Sequence, residues 1–380
     1  MILKRTDIER REKETLAPYA AFSAKSRGRE FPEAEDPFRT AFQRDRDRII
    51  YSKAFRRLQG KTQVFVAHHG DHYRSRLAHT MEVAQLSRDM ARNLGLNEDL
   101  AEAVALAHDL GHTPFGHAGQ ETLDSLMREH GLSFEHNEQS RRIVTRLEQK
   151  KPEFPGLNLT FELRDGLMKH RDPLDPISES GTTRPSLESQ LVDIADKIAY
   201  LNHDIDDGIR ARILSTDEMN SLPIWQQARE TVKADLTFPL FVSAMISRLI
   251  TLMVTDLLEN TDRLLKKHKI RSLAQVNETP QVLVAFSDSF AAECKSLKAF
   301  LFQRFYSSPG ILEYNKRGQE AIRFLFQELQ KKPSLIPEKF SVTGEGILIQ
   351  VKDHIASMTD DYAMDLYDKL HWKAFSHLEI

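Results

Sequence analysis

Three observations predict an all-α protein. Apolar residues recur at helical spacing along most of the chain, strands do not alternate with crossover segments, and no glycine-rich phosphate loop or fixed-period repeat is present. The 380 residues, 40% hydrophobic and 29% charged, suffice for one large domain or two ordinary ones with a sizeable core. With 53 basic and 56 acidic side chains the net charge is −3, which argues against a protein that mainly coats nucleic acid.

Three regions follow in order. Residues 1–40 read as a charged N-terminal extension with loop signals in SRGREFPEAEDP. MILKRTDIERREKETL has no apolar signal-peptide core, and the single Cys294 excludes an intramolecular disulfide framework and a Cys-rich metal site. Both fit a cytoplasmic location. Residues 41–215 form the expected chemical core. From Arg39 to Lys61, eight Lys or Arg stand against two Asp. A solvated helix face is the plain reading of that run, and a phosphate-bearing ligand the alternative. Proline-containing loops are expected at 150–160 and 171–185.

Residues 216–380 read as a helical region for packing and assembly. Their most apolar stretch, Leu236 to Leu258, is interrupted by Arg248 and Asp256. It carries Val242, Met245, Ile246, Leu249, Ile250 and Met253 at helical spacing, so a buried amphipathic helix is expected and no membrane span is needed. The one strand signal is FSVTGEGILIQV, residues 340–351, where Gly344 and Gly346 suggest a small hairpin.

Nine of the fifteen histidines fall between His68 and His136, and imidazole is both a common transition-metal ligand and the usual acid or base near neutral pH. His79 precedes Val83, Leu86 and Met90 at helical spacing, which turns it inward. Asn97 is a good N-cap for a helix through LAEAVALAHDL, ended by Gly111, with Ala101, Val104 and His108 on one face. A later helix places Asp193, Asp196, Tyr200 and His203 along one stripe beside Leu191, Ile194 and Ile198. An acid in so apolar a helix needs a compensating partner, and for Asp196 a metal would supply it. His79, His108, Asp109 and Asp196 together offer two imidazoles and two carboxylates, a set suited to Mn²⁺, Mg²⁺, Fe²⁺, Co²⁺ or Ni²⁺ and to metal-assisted hydrolysis.

These residues carry a resemblance. The H…HD…D pattern resembles the HD phosphohydrolase superfamily, and more narrowly its bacterial dGTP triphosphohydrolase-like dNTPases. The pieces RTAFQRDRDRIIYSKAFRRLQGKTQV, YRSRLAHTMEVAQ, AHDLGHTPFGHAG, FEHNEQS, ADKIAYLNHDIDDG and DHIASMTDDYAMDLY match in order. The resemblance implies a helical HD core with an additional C-terminal helical region. It implies His79, His108, Asp109 and Asp196 as ligands of a divalent metal, and hydrolysis of a deoxynucleoside triphosphate to deoxynucleoside and tripolyphosphate. His112 and His117 become the acid–base candidates. Arg76 and Lys197 become phosphate contacts, Gln63 and Tyr200 sugar contacts, and His136 and Asn137 further contacts near the phosphates. A homo-oligomer, hexameric in some relatives, and a second dNTP acting as activator are also implied, and single-stranded nucleic acid stays open as a partner.

One position departs from the family pattern. Relatives carry an acid three residues after the second histidine of the turn, where this chain has Gln120 followed by Glu121. Glutamine orients a histidine or water but accepts no proton, and Glu121 is turned away by about 100° on a helix. Two rival readings stand beside the first, the second of them resting on Gln120. One is an HD phosphohydrolase acting on nucleoside monophosphates or other phosphoesters, and the other a non-catalytic nucleotide- or nucleic-acid-binding regulator.

Overall fold

The computed structural model describes residues 2–63, 74–168, 184–233, 235–341 and 345–375. Most of the expected 171–185 loop lies outside the described residues, as do Gly344 of the expected hairpin and His68, His69 and His72. Among the described residues there are seventeen α-helices and no strand, with three isolated β-bridges, so the fold is all-α as expected. The chain forms two compact units from interleaved segments. The first comprises Met1–Asp47, Met81–Leu106 and Thr160–Ser308, and the second Arg48–Thr80, Ala107–Leu159 and Pro309–Ile380.

The first unit is built around the helix Leu187–Arg210, capped by Ser186, whose hydroxyl accepts from the Ser189 amide. It packs on the helix Phe238–Lys267, where Asn202 Nδ2 approaches Met253 Sδ at 3.3 Å. Val242, Met245, Leu249, Met253 and Leu257 are the buried stripe of that second helix, while Ile246 and Ile250 are half-buried. By length and composition alone the helix would pass as a membrane span. Its Asp256, however, accepts from Ser287 N at 2.8 Å and Ser287 Oγ at 2.6 Å, fixing the start of the helix Asp288–Leu301. Buried carboxylates tie the N-terminal segment down. Glu188 accepts from the amides of Ala21 at 2.9 Å and Asn97 at 3.0 Å. Asp45 pairs with Arg29 and accepts from Thr160 N at 2.9 Å and Oγ1 at 2.6 Å. Removing one partner of so buried a pair costs about 3–5 kcal/mol.

The second unit has its core between the helices Gly116–Arg128, Pro309–Lys331 and Ile347–Ala356, with Phe115, Leu123, Met127, Ile322, Phe326 and Val351 all buried. Gly318 is required there, because a Cβ would lie 2.5 Å from Phe115 Cγ. The expected hairpin is corrected by the structure. Residues Glu338–Phe340 form a single 3₁₀ turn, and ILIQV opens the helix Ile347–Ala356. Its apolar residues continue as Ile347, Val351 and Ile355, a helical face that packs into the core, so tertiary burial overrides the β-branched propensity of the run.

Candidate metal centre

The site grows from two helix ends in the second unit. His79 lies in the first turn of the helix Arg76–Asn93 and is 1% exposed. His108 and Asp109 follow the helix Glu98–Ala107, whose N-terminus Asn97 caps by accepting from Leu100 N at 3.1 Å. The predicted helix therefore stops one residue short of the His–Asp pair. The chain then turns at Gly111, where a Cβ would come 2.2 Å from the His136 carbonyl and 2.3 Å from the Ser140 amide nitrogen. Ser140 Oγ accepts from Gly111 N at 2.8 Å and donates to the His108 carbonyl at 2.9 Å, which locks the turn. Further on, Phe115 adopts a left-handed backbone with φ of 62° and donates its amide to Asp360 Oδ1 at 3.0 Å. That unusual conformation starts the helix Gly116–Arg128 in a new direction.

The turn brings His79, His108 and Asp109 together. His108 Nε2 lies 3.1 Å from Asp109 Oδ1, and His79 Nε2 lies 3.8 Å from Asp109 Oδ2. The potential ligand atoms of the three buried residues all lie within 4.8 Å of one another, and so do those of Asp109, His112 and His136. Two imidazole nitrogens and one carboxylate oxygen at these separations fit a divalent cation, so the cluster is able to bind a metal.

Arg76 is the second element of the site. It is 1% exposed, its Nη1 donates to Asp109 Oδ2 at 2.8 Å, and its Nε and Nη2 have no hydrogen-bond partner among the described residues. Burial opposes ionisation of Asp109, yet His108, His112 and Arg76 hold its carboxyl well below the usual carboxylate range. Burial, with the charge of Arg76, pushes His112 well below the ordinary imidazole value, so it is neutral near pH 7. His112 Nε2 lies 3.4 Å from Asp109 Oδ1 and its ring stacks on His136 at 4.0 Å between centroids.

The remaining candidates divide between the units. His117 is exposed, with its ring centroid 5.7 Å from that of His112. Gln63 has a buried Oε1 without a partner among the described residues, and its carbonyl would lie 3.5 Å from a Cβ at Gly116. Asn137 Nδ2 donates to Glu135 Oε1 at 2.8 Å. Gln120 Oε1 meets His136 Nδ1 at 2.8 Å, so it does orient a histidine, while Glu121 is exposed. Asp196, Lys197 and Tyr200 lie half-buried on the helix Leu187–Arg210 of the first unit. There burial, with Asp196 and Asp204 nearby, raises the Tyr200 phenol above its ordinary value.

Several supporting residues had no sequence signal of their own. Lys61 Nζ donates to the carbonyls of His112 and of Ala356, the second at 2.8 Å. Glu135 Oε1 lies 2.8 Å from His136 Nδ1. Asp360 accepts from Thr62 N at 2.9 Å and Tyr314 OH at 2.9 Å as well as from Phe115. In the first unit, Tyr306 donates to the buried Asp204, which also lies 3.0 Å from His203 Nδ1. Lys61, Glu135 and Asp360 sat inside the quoted motifs RTAFQRDRDRIIYSKAFRRLQGKTQV, FEHNEQS and DHIASMTDDYAMDLY, the only cue that these three carried, and Tyr306 had none.

Comparison with known proteins agrees with this geometry. Residues 76–201 match the family model described as HD domain, and residues 284–369 that described as phosphohydrolase-associated domain. Fold and site thus define a phosphohydrolase of the HD class, a hydrolytic enzyme. A deoxyguanosinetriphosphate triphosphohydrolase-like protein of Brucella suis (strain ATCC 23445 / NCTC 10510) is 44% identical over 382 residues, covering 93% of this chain and 95% of its own. One of the same description from Leptospira interrogans serogroup Icterohaemorrhagiae serovar Lai is 42% identical, covering 97% of this chain and 100% of its own. The chain belongs to the family of deoxyguanosinetriphosphate triphosphohydrolase-like proteins.

Proposed function

We propose that this enzyme hydrolyses deoxynucleoside triphosphates to deoxynucleoside and tripolyphosphate, and so contributes to control of dNTP pools. The observation that carries the reading is Arg76. A fully buried guanidinium, steered by Asp109 and with two donor groups unpaired among the described residues, is suited to receive an anion beside the His–Asp cluster. Uncompensated, such donors cost about 1–3 kcal/mol each, which a bound phosphate relieves. The triphosphohydrolase-like description of the relatives supports the substrate class.

In this reading His79, His108 and Asp109 hold a divalent cation, Mn²⁺ or Mg²⁺ or else Fe²⁺, Co²⁺ or Ni²⁺, with Asp196 as a fourth ligand from the family pattern. When bound, that cation polarises the phosphate and lowers the pKa of water. Arg76 and Lys197 bind phosphate oxygens, Gln63 and Tyr200 meet the sugar, and His136 and Asn137 approach the phosphates. Neutral His112 offers a lone pair to the proton of the attacking water, and His117 donates to the departing 5′-oxygen. A second-site dNTP activator, a homo-oligomer and a cytoplasmic setting belong to the same reading.

A product assay tests it. The purified protein is given each dNTP singly and in mixture, with Mn²⁺ or Mg²⁺. Tripolyphosphate and deoxynucleoside are expected, and turnover confined to mixtures would reveal the activating site. Orthophosphate or pyrophosphate instead would reject the reaction class, and binding without turnover would make the protein a regulator.

A further inference from the structure

The turn that carries His112 is held at both ends by residues of the second unit that take no part in the His–Asp cluster. Lys61, 2% exposed, donates its Nζ to the carbonyls of His112 and Ala356, while its own carbonyl accepts from Arg76 N at 3.0 Å. Asp360 is buried as well. Its Oδ1 accepts from Phe115 N at 3.0 Å, and its Oδ2 from Thr62 N and Tyr314 OH at 2.9 Å each. The short connection between the helices Ile347–Ala356 and Asp360–Phe375 therefore touches Lys61 at one end and Phe115 at the other. Its approach is close, since a Cβ on Gly60 would lie 2.8 Å from Thr359 Cγ2.

Three features point to a task beyond packing. The contacts on the turn fall on main-chain atoms, the His112 carbonyl and the Phe115 amide, and use no imidazole nitrogen. Phe115 holds a left-handed backbone that a phenylalanine keeps only where its surroundings impose it. Asp360 fixes its amide, while the Tyr314 ring at 5.9 Å and the close passage of Gly318 confine its side chain. Finally, the apolar cluster of Ile322, Phe326, Val351 and Ile355 already joins the C-terminal helices, so Lys61 and Asp360 are not needed to hold them together. One residue, Lys61, also ties the start of the Arg76 helix to the carbonyl of His112.

We propose that Lys61 and Asp360 are positioning residues for His112 and His117, acting through the main chain of residues 112–115. They set the two imidazoles against Arg76 and the His–Asp cluster, so the C-terminal region that supplies Ala356 and Asp360 serves the chemistry as well as the packing. Misplacing such a group by about 1 Å costs about a hundredfold in rate. The proposal rests on the acid–base roles given to His112 and His117 above.

Two variants of the full chain test it. Asp360→Asn leaves one carbonyl oxygen where two carboxylate oxygens served three donors, and Lys61→Met removes the ammonium from a side chain of similar length. Steady-state kinetics with a dNTP and Mn²⁺ are read beside metal content and hydrogen–deuterium exchange of peptides covering 109–119. In both variants kcat is expected to fall at least about tenfold with KM within about twofold of wild type. Metal content should be unchanged and exchange in 109–119 faster. Asp360→Asn alone decides if Lys61→Met does not fold. Wild-type kcat in the variants overturns the proposal, as does a loss of kcat that follows loss of metal. If wild type hydrolyses no dNTP, the reaction proposed above fails, and the exchange measurement decides the bracing: a 109–119 segment exchanging at the wild-type rate overturns it.

Discussion

His136 lies face to face with His112, with ring centroids 4.0 Å apart and planes 22° apart, and its Nδ1 meets two acceptors at 2.8 Å, Gln120 Oε1 and Glu135 Oε1. Both acceptors call for a proton on Nδ1. Glu135 thus supplies the carboxylate that Gln120 does not. Glu135→Gln is expected to lower turnover about tenfold with the far-UV circular dichroism unchanged; turnover at the wild-type level would remove Glu135 from this role. Gln120→Glu keeps an acceptor on His136, so activity should hold or rise, and a marked loss would show that the amide itself is needed.

His108→Ala should abolish metal uptake, read by elemental analysis, while the helical fold persists. Asp109→Ala should behave differently, because it also strands the buried Arg76. A cost of about 3–5 kcal/mol in denaturant unfolding is expected for it, and a smaller one for Asp109→Asn. Asp196→Ala should lower metal content without touching Arg76; unchanged content would reject Asp196 as a ligand.

Stability should fall with acid in a window set by His354. This residue is 3% exposed, and burial, with Lys339 and Arg57 nearby, lowers its imidazole from 6.5 to about 4. Between those values the unfolded chain takes up a proton that the folded one refuses, so stability drops as pH falls from about 6.5 towards 4. The contribution is roughly 3 kcal/mol. His112, also depressed, acts in the same direction. Urea unfolding at pH 7 and pH 5 should show a smaller difference in His354→Leu than in wild type; an equal difference would exclude His354 as a source.

Gly111→Ala should be among the most damaging small substitutions, because the added Cβ meets main-chain atoms at 2.2 and 2.3 Å and neither can rotate away. A loss of about 3 kcal/mol is expected, read as a lower Tm, together with loss of metal binding. A variant with native Tm would show that the 136–140 segment is free to move.

The sequence made the helices legible because apolar spacing is a local property. It failed at residues 347–351, since the strand-like window ended before Ile355 completed the helical face. The grouping of His79 with His108 and Asp109 was readable from side-chain type and helix position. Lys61, Glu135 and Asp360 were not, for a physical reason. Lys61 acts on main-chain carbonyls, which leave no mark in sequence, and Asp360 reaches Phe115 across 245 residues. Contacts of that range obey no spacing rule.

The clamps on the His112 loop also order events during synthesis. All the residues of the His–Asp cluster and its histidine neighbours have emerged from the ribosome by residue 136, but the Ala356 carbonyl that shares Lys61 and the Asp360 carboxylate that holds Phe115 come more than two hundred residues later. A nascent chain therefore carries the ligands and the Ser140 lock on their turn long before Lys61 and Phe115 meet their late partners. The loop is completed only when nearly the whole polypeptide is available, and a chain cut short before residue 356 would lack these two late supports.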